Sequence, residues 1–399
     1  MKKVTSLLPL FAFILLAVAC DKKADFNYYY YSDADAKIIS EDLNLPLDRP
    51  NDYIVRLPEH LRRTGLFPRP VEDNKATLGR VLFYDRKLSK DGTISCASCH
   101  KQELAFGDDV AFSRGVSDRS TDRNSFALSS VANFSAYYGT DLNGPSAIRF
   151  FWDNRAETVA QQSTGSLTNP KEMDMDMHDV ADIVASQPYY APLFKKAYGS
   201  TVINQDLVLE AIANFVNAMG SFNSKFDKAA ENANASYTNN AYVYTEDFTA
   251  TGFTASENRG KALYNSNCAS CHSGNMGRPV LHLANNGLDL DTAGDQGVGA
   301  ITGVYNQNGT FKVPTLRNIA LSAPYMHDGR FKTMDEVLDH YSSGIKSHPN
   351  LHAYLKKSNG LPKTMNFSQT DKQDMLAFLN TLTDNEVLAS QQFSNPFKY

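Results

Sequence analysis

The sequence has few cysteines, one tryptophan and no marked excess of either charge. Its 399 residues include five cysteines, 39 lysines and arginines, and 44 aspartates and glutamates, for a formal net charge of −5. No dense group of basic residues suggests a surface that reads phosphates, so we expect no nucleic-acid partner. Strand-like alternation is too weak to compete with helical periodicity. The lack of a competing strand pattern favours a mainly α-helical protein.

Long hydrophobic runs are absent too, with one short exception at the N-terminus. "MKKVTSLLPLFAFILLAVAC" has two lysines, an apolar run of roughly a dozen residues and small residues before Cys20, which is too short to span a bilayer. We interpret residues 1–19 as a lipoprotein signal peptide, after which Cys20 is lipidated. Ala17 stands where such signals usually carry leucine, and the alternative is cleavage without lipidation. Either way we expect a protein of the periplasm or cell envelope, with a lipid anchor to the membrane in the first case.

The composition divides the remaining chain into four parts. Residues 20–50 are polar and dotted with tyrosine, which predicts a tether. Residues 51–229 are expected to form an N-terminal domain and residues 254–399 a C-terminal domain. Residues 230–253 between them are poor in aliphatic side chains and rich in Asn, Ala, Thr and Tyr, which indicates a linker or an insertion.

Helical patterns support both domains. In "LVLEAIANFVNAMGSF" the apolar side chains share one face, namely Val208, Ile212, Phe215, Val216 and Met219. Thr254 and Glu257 form a capping-box pattern at the start of the C-terminal domain. The closing segment "TDKQDMLAFLNTLTD" predicts an amphipathic helix that buries Leu376, Leu379 and Leu382.

The four cysteines beyond Cys20 all lie in a repeated pentapeptide. CASCH occurs at 96–100 and at 268–272, and both copies follow a segment with Gly, a basic residue and Leu-Phe or Leu-Tyr, which indicates a duplicated module. A thioredoxin-type pair would need a strand before the motif, and a zinc site would leave two histidines unexplained. Attachment of haem c uses both cysteines and the adjacent histidine. We therefore predict two covalent haems c, attached at Cys96, Cys99, Cys268 and Cys271, with His100 and His272 as proximal iron ligands.

The ligand opposite each histidine decides between electron transfer and chemistry at the iron. Between Lys101 and Asn267 the only histidine is His178, and neither His nor Met follows the first motif directly. The first haem is therefore expected to have an open face that admits a small oxidant such as peroxide.

The chain resembles the bacterial di-haem cytochrome c peroxidases, a family that includes MauG. The resemblance lies in "LGRVLFYDRKLSKDGTISCASCH", "FFWDNRAETVAQQ", "KEMDM", "FKVPTLRNIALSAPYMHDGRFKTMDEVLDHY" and "LAFLNTLTD", and it extends over nearly all of the chain beyond the tether. It implies two cytochrome c-like domains packed across a shared interface. It also implies an N-terminal haem that cleaves hydrogen peroxide and a C-terminal haem that receives electrons from a small cytochrome c or cupredoxin. A homodimer is compatible with it.

The resemblance also implies roles for particular residues. Glu172 matches the catalytic glutamate, which would move a proton from one peroxide oxygen to the other. Gln162 matches a glutamine near the same pocket. Asn124 and the backbone carbonyls of Lys312 and Pro314 match the ligands of one calcium ion at the domain interface, where oxygen ligands suit that ion.

Trp152, the single tryptophan, matches the residue between the two haems. It is a candidate relay for electrons, and a buried indole is also a packing anchor. The sequence departs from the family in the loop "AFSRGVSDRSTDRNS", where Ser117 lies near the place of a histidine that can cap the first haem. We therefore expect a first haem that is open without reductive activation. Ser166 replaces a proline that the family often has near the tryptophan.

The family's distal ligand of the second haem, Met in peroxidases and Tyr in MauG, aligns with Tyr341. Thr333 and Glu336 form a capping box for its helix, on which Tyr341 shares a face with Val337 and Leu338. A core tyrosine would point inward in the same way. The alternative ligands are His340, Met326, Met365 and His348.

We expect a peroxidase that reduces hydrogen peroxide to water with electrons from a small periplasmic redox protein. One alternative is oxidation of a protein substrate, as in cofactor maturation by MauG, through a high-valent state shared by both haems. Another is a non-catalytic di-haem electron carrier.

Overall fold

The computed structural model describes residues 31–49, 51–138, 148–238, 240–291 and 293–398. The expected signal peptide and Cys20 lie outside this range. Within it, no helix combines the length and the apolar character that a membrane crossing requires.

The structure is mainly helical, as predicted. The α-helices are α1 (Asp33–Asp42), α2 (Glu59–Arg62), α3 (Asp73–Tyr84), α4 (Cys96–Cys99), α5 (Val131–Phe134), α6 (Val159–Thr168), α7 (Met177–Ala185), α8 (Tyr190–Tyr198), α9 (Gln205–Ala218), α10 (Lys225–Ala230), α11 (Ala255–Asn267), α12 (Ala269–His272), α13 (Val298–Thr302), α14 (Met334–Asp339), α15 (Gln369–Asn380) and α16 (Asn385–Ala389). The strands form three short antiparallel pairs, β1 (Leu66–Phe67) with β2 (Tyr137–Tyr138), β3 (Ser236–Thr238) with β4 (Ala241–Val243), and β5 (Leu283–Ala284) with β6 (Phe311–Lys312).

The first core forms where α3 crosses α9. The predicted apolar face of α9 is confirmed, since Ile212 and Phe215 are almost fully buried. Gly79 of α3 allows the close approach, because a Cβ at this position would overlap the backbone of Ala211 and lie 2.9 Å from Cβ of Phe215. The helix that precedes the first CASCH is thereby fixed against the body of the domain.

The second core repeats this arrangement with α11 and α15. Gly260 of α11 meets the backbone of Asp374, and an added Cβ would lie 2.8 Å from Cβ of Phe378. Thr254 caps α11 as predicted, accepting a hydrogen bond from the Glu257 N–H. On the closing segment Leu379 and Leu382 are buried, whereas Leu376 is only partly buried. The glycine shared by both copies of the repeat thus marks the same helix crossing.

The expected linker at 230–253 belongs to the second core. Its strands β3 and β4 form a hairpin, and Tyr244, Phe248 and Phe253 are all buried. Phe226 of α10 belongs to the same core, so this core begins before residue 229. The segment has few aliphatic side chains, of which Val243 is buried, and it contributes mainly aromatic ones to the core.

Both ends of the described chain pack on the first domain. Within the expected tether, α1 buries Ile39 against the first core, and Leu43 pairs with Phe397 of the C-terminal tail. Val387 and Phe393 of this tail also join the first core. The tether expectation therefore fails for residues 33–45, and the C-terminal domain ends before the chain does.

The domains meet along a seam of backbone hydrogen bonds. The Lys312 N–H donates to the Trp152 carbonyl at 2.8 Å, and the Asn124 N–H donates to the His327 carbonyl at 2.8 Å. Trp152 therefore lies at the interface between the domains.

Candidate active site

Each CASCH motif borders a cavity. The first cavity, of about 450 Å³, is bordered by Cys99, His100, Gln162 and Glu172 among others. The second, of about 210 Å³ and mostly apolar, is bordered by Cys268, Cys271, His272 and Tyr341 among others. The residues common to both are Asn124, Ser125, Phe126, Phe134, Trp152 and Lys312.

The two motif histidines are prepared as metal ligands in the same way. Nδ1 of His100 lies 2.9 Å from the Phe106 carbonyl, and Nδ1 of His272 lies 2.8 Å from the Pro314 carbonyl. Because Nδ1 donates to a carbonyl, the unprotonated nitrogen is Nε2, which is the state that binds iron. Burial lowers the pKa of both imidazoles and favours the same neutral form.

The four motif cysteines are free thiols held in the neutral state. Burial raises the pKa of Cys96 to about 12, of Cys99 to about 11 and of Cys268 to about 12. Thiol exchange and zinc binding both use the thiolate, so this environment disfavours either role. Within the described chain no group of three or more His, Cys, Asp or Glu side chains could hold a metal ion. Thiols beside a cavity that a neutral histidine borders fit haem c.

Glu172 stands in the first cavity within a hydrogen-bonded group. The Asn169 amide donates to Oε1 of Glu172 at 2.7 Å, and the Ser166 hydroxyl also bonds to this carboxylate. Ser166 in turn accepts a hydrogen bond of 3.0 Å from the Gln162 amide. Burial raises the pKa of Glu172, while the bonds from Ser166 and Asn169 and the charge of Arg155 oppose the rise. The carboxylate is therefore fixed in place and poised to exchange a proton.

The loop after the first motif holds the backbone of Glu172. The Val116 N–H donates to the Glu172 carbonyl at 2.8 Å. At Gly115 a Cβ would lie 2.7 Å from Cα of Glu172, so the two segments are in direct contact. Ser117 lies near the position at which the family can have a capping histidine. It is exposed and has a left-handed backbone.

The described residues that line the first cavity include one histidine, His100, and no methionine. His178 lies at the start of α7, exposed and away from the cavity. This arrangement supports the expectation of an open first site.

Trp152 borders both cavities and joins a group of stacked rings. Its indole stacks on Phe126 with ring centres 3.9 Å apart, and it meets His327 edge-on at 6.4 Å. The indole N–H donates to the Asn124 carbonyl at 2.8 Å. These contacts hold Trp152 between the two cavities.

Three of the five candidate distal ligands for the second iron border the second cavity. These are Tyr341, Met326 and Met365, and all of them share this cavity with His272. Burial raises the pKa of Tyr341 to about 12. Tyr341 lies in a π-helical segment, His340–Gly344, that continues α14.

The two histidines considered as ligands are engaged elsewhere. Nε2 of His340 bonds to the Asn286 carbonyl at 3.1 Å. In His348, Nε2 bonds to the Asp291 carbonyl at 3.1 Å and Nδ1 accepts from the Asn350 N–H at 2.9 Å. Neither borders the second cavity, so the structure favours the tyrosine and the methionines.

The residues expected to bind calcium all border the second cavity at the seam. Asn124 and Lys312 both bond to Trp152, and the Pro314 carbonyl accepts from His272. A carbonyl oxygen has two lone pairs, so this bond leaves Pro314 able to bind a cation. Calcium binding stays a prediction.

Sequence reasoning missed Asn169, Asn286 and the role of Ser166. A signal existed for Ser166, because Gln162 and Ser166 are one helical turn apart on α6. Asn286 approaches Tyr341 only through the tertiary fold, so no sequence spacing could reveal it.

Comparison with known families matches both halves of the chain. Residues 73–235 match the family described as di-haem cytochrome c peroxidase, and residues 255–387 match the family described as cytochrome C oxidase, cbb3-type, subunit III. These matches define a c-type cytochrome with two haem domains.

Individual relatives agree with this class. The methylamine utilization protein MauG of Methylorubrum extorquens is 30% identical over 345 residues, covering 84% of this chain and 86% of the relative. The cytochrome c551 peroxidase of Nitrosomonas europaea is 30% identical over 321 residues, covering 79% and 82%. The chain belongs to the family of di-haem cytochrome c peroxidases and MauG, whose members are oxidoreductases with two haems c.

Solved structures show the same fold. A MauG-like protein associated with microbial copper homeostasis is 31% identical, covers 87% of this chain and 98% of its own, and superposes with a TM-score of 0.64. A variant of the di-haem peroxidase BthA of Burkholderia thailandensis is 20% identical, covers 89% and 98%, and has a TM-score of 0.62. Two cytochrome c-like domains across a shared interface are thus confirmed.

Proposed function

We propose that this protein reduces hydrogen peroxide to water with electrons from a small periplasmic cytochrome c or cupredoxin. The observation that carries the proposal is the first cavity, which Glu172 borders together with His100 and which no other described histidine or methionine borders. The reaction consumes one peroxide, two protons and two electrons and yields two waters. The haem supplies the iron centre to which peroxide binds and through which electrons arrive.

The protein's own groups would manage the protons. Glu172 accepts the proton from the near oxygen of peroxide and returns it to the far oxygen, which leaves as water. The hydrogen bonds from Asn169 and Ser166 hold the carboxylate at one position during both transfers. The Gln162 amide donates to the Ser166 hydroxyl and so holds that hydroxyl in place beside the Glu172 carboxylate.

Trp152 would connect the two halves of the reaction. Because it borders both cavities, it would offer electrons an aromatic route between haems held in them. We further propose Tyr341 as the distal ligand in the second cavity. A phenolate favours ferric iron and lowers the reduction potential, whereas a thioether raises it.

The experiment is steady-state reduction of peroxide by a reduced small cytochrome c. Glu172→Gln should lower kcat/KM about 10²- to 10⁴-fold, the usual contribution of a positioned acid–base group. Glu157→Gln is the matched control, because Glu157 is an exposed surface carboxylate paired with Arg149. Equal rates in wild type and Glu172→Gln would refute the role of Glu172.

A second candidate function is oxidation of a protein substrate, and the place of Tyr341 favours it. MauG relatives appear beside the peroxidases at similar identity. Peroxide titration of the resting protein separates the two functions. A peroxidase consumes donor rapidly, whereas a protein-oxidising enzyme stays oxidised for a long time and turns donor over poorly. A carrier does neither.

We also propose the remaining features expected from the sequence. These are lipidation at Cys20 after removal of residues 1–19, location in the periplasm, and a calcium ion held by Asn124, Lys312 and Pro314. Labelling with palmitate, with Cys20→Ala as the control, tests the anchor. The mass of the protein in solution tests a homodimer.

A further inference from the structure

Two possible iron ligands in the second cavity converge on one amide. Nδ2 of Asn286 donates to Sδ of Met326 at 3.5 Å, and the Asn286 side chain also interacts with the Tyr341 phenol. Asn286, Met326 and Tyr341 all border the second cavity, as does His272.

Asn286 is fixed relative to both side chains. Its carbonyl accepts a hydrogen bond from His340, the neighbour of Tyr341, at 3.1 Å. Asn285 beside it accepts from the Gly287 N–H at 2.9 Å and donates to the Gly309 carbonyl at 2.7 Å. The backbone at Asn286 is thus held by the fold, so its side-chain amide can move only by side-chain rotation.

Met326 is held as firmly as the amide. Its backbone is left-handed, with φ of +75°, and its carbonyl accepts from the Gly329 N–H at 3.2 Å. The neighbouring Tyr325 N–H donates to the Phe331 carbonyl at 2.7 Å. The sulphur can therefore leave Asn286 only by rotation of the side chain.

We propose that Asn286 is a positioning residue that retains the Met326 sulphur and leaves the distal site of the second iron to Tyr341. The Met326 side chain would have to rotate away from Asn286 to present its sulphur elsewhere in the cavity, and it would then lose this hydrogen bond. A phenol oxygen has enough lone pairs to accept an amide N–H and also bind iron. One amide therefore disfavours methionine and favours tyrosine. The inference rests on the proposed ligation by Tyr341.

The test uses haem-loaded protein and two measurements that do not depend on activity. Resonance Raman detects an iron–phenolate mode, and spectroelectrochemistry gives the reduction potential of the C-terminal haem. Asn286→Leu removes the donor at similar size, and Asn286→Asp is a second variant that also cannot donate when ionised. We expect either variant to favour Met326 about tenfold, the scale of one net hydrogen bond, which weakens the phenolate mode and raises the potential by about 59 mV.

Controls isolate the role of Met326. Met326→Leu alone should leave the mode and the potential as in wild type, and Asn286→Leu with Met326→Leu should restore the wild-type mode. The inference is overturned if Asn286→Leu and Asn286→Asp change neither quantity, or if the double variant keeps the raised potential. A wild-type protein without any phenolate mode would instead overturn ligation by Tyr341, and this inference with it. Neither result bears on peroxide turnover, which is measured separately.

Discussion

Replacing Gly115 with alanine should impair catalysis without removing any chemical group. Gly115 has φ of −99°, which any residue adopts, so an alanine introduces no backbone strain. Its Cβ would lie 2.5 Å from the Glu172 carbonyl oxygen and 2.7 Å from Glu172 Cα. Non-bonded carbon atoms prefer separations of about 3.5–4.0 Å, so the segments must part by about 1 Å. The obstructing atoms belong to the backbone and cannot rotate away.

The expected loss follows from this displacement. Glu172 is held by Asn169 at 2.7 Å and by Ser166. A shift of about 1 Å exceeds the roughly 0.5 Å tolerance of a catalytic group and can cost about 100-fold in rate. We therefore expect Gly115→Ala to lower kcat for peroxide reduction about 100-fold while both haems stay attached.

The assay is peroxide turnover at equal haem content, with thermal unfolding to confirm the fold. Gly294→Ala is the matched control, because a Cβ there meets nothing within 4 Å. A double variant gives the sharper test. If Gly115→Ala acts by moving Glu172, it should cost little more in a Glu172→Gln background. A folded Gly115→Ala protein at wild-type rate, or an undiminished loss in that background, would refute the reasoning.

Three other predictions concern the pH profile, stability and calcium. Ser166→Ala removes a hydrogen bond that lowers the pKa of Glu172, so the acidic limb of kcat/KM should move to higher pH in a pH–rate profile. Arg317 donates two hydrogen bonds of 2.7 Å to the buried Asp227. Arg317→Met leaves this carboxylate without its guanidinium partner, so the free energy of unfolding in denaturant should fall by about 3–5 kcal/mol. The exposed Arg259, changed to Met, should cost far less. Chelation should lower peroxide turnover, and added Ca²⁺ should restore it, if Asn124 and the seam carbonyls bind the ion.

The sequence predicted best what depends on neighbours in the chain. The apolar face of α9 follows from helical periodicity, and the caps at Thr254 and Thr333 follow from a three-residue spacing. The motif histidines are defined by adjacency to their cysteines. Each of these features is complete within about one to four turns of chain, so tertiary structure does not alter it.

Prediction failed where distant segments decide the outcome. The region 230–253 resembles a linker because it has few aliphatic residues, yet Tyr244 and Phe248 are buried in the second core. In the same way, the mostly polar residues 33–42 form a helix because Ile39 packs against the first domain. Composition records what a segment contains but not which surface another segment offers to it.

The two identical pentapeptides cannot by themselves give the haems different tasks. On the proximal side the copies are equivalent, since each histidine donates Nδ1–H to a backbone carbonyl within 2.8–2.9 Å. The difference lies in the other residues that border each cavity, which come from segments far from either motif. Among the described residues, the first cavity is bordered by Glu172 and by no methionine, while the second is bordered by Tyr341 and by Met326, whose sulphur accepts a hydrogen bond from Asn286. Because iron reactivity depends on what faces the proximal histidine, changes at these few positions should alter the division of labour while haem attachment stays the same.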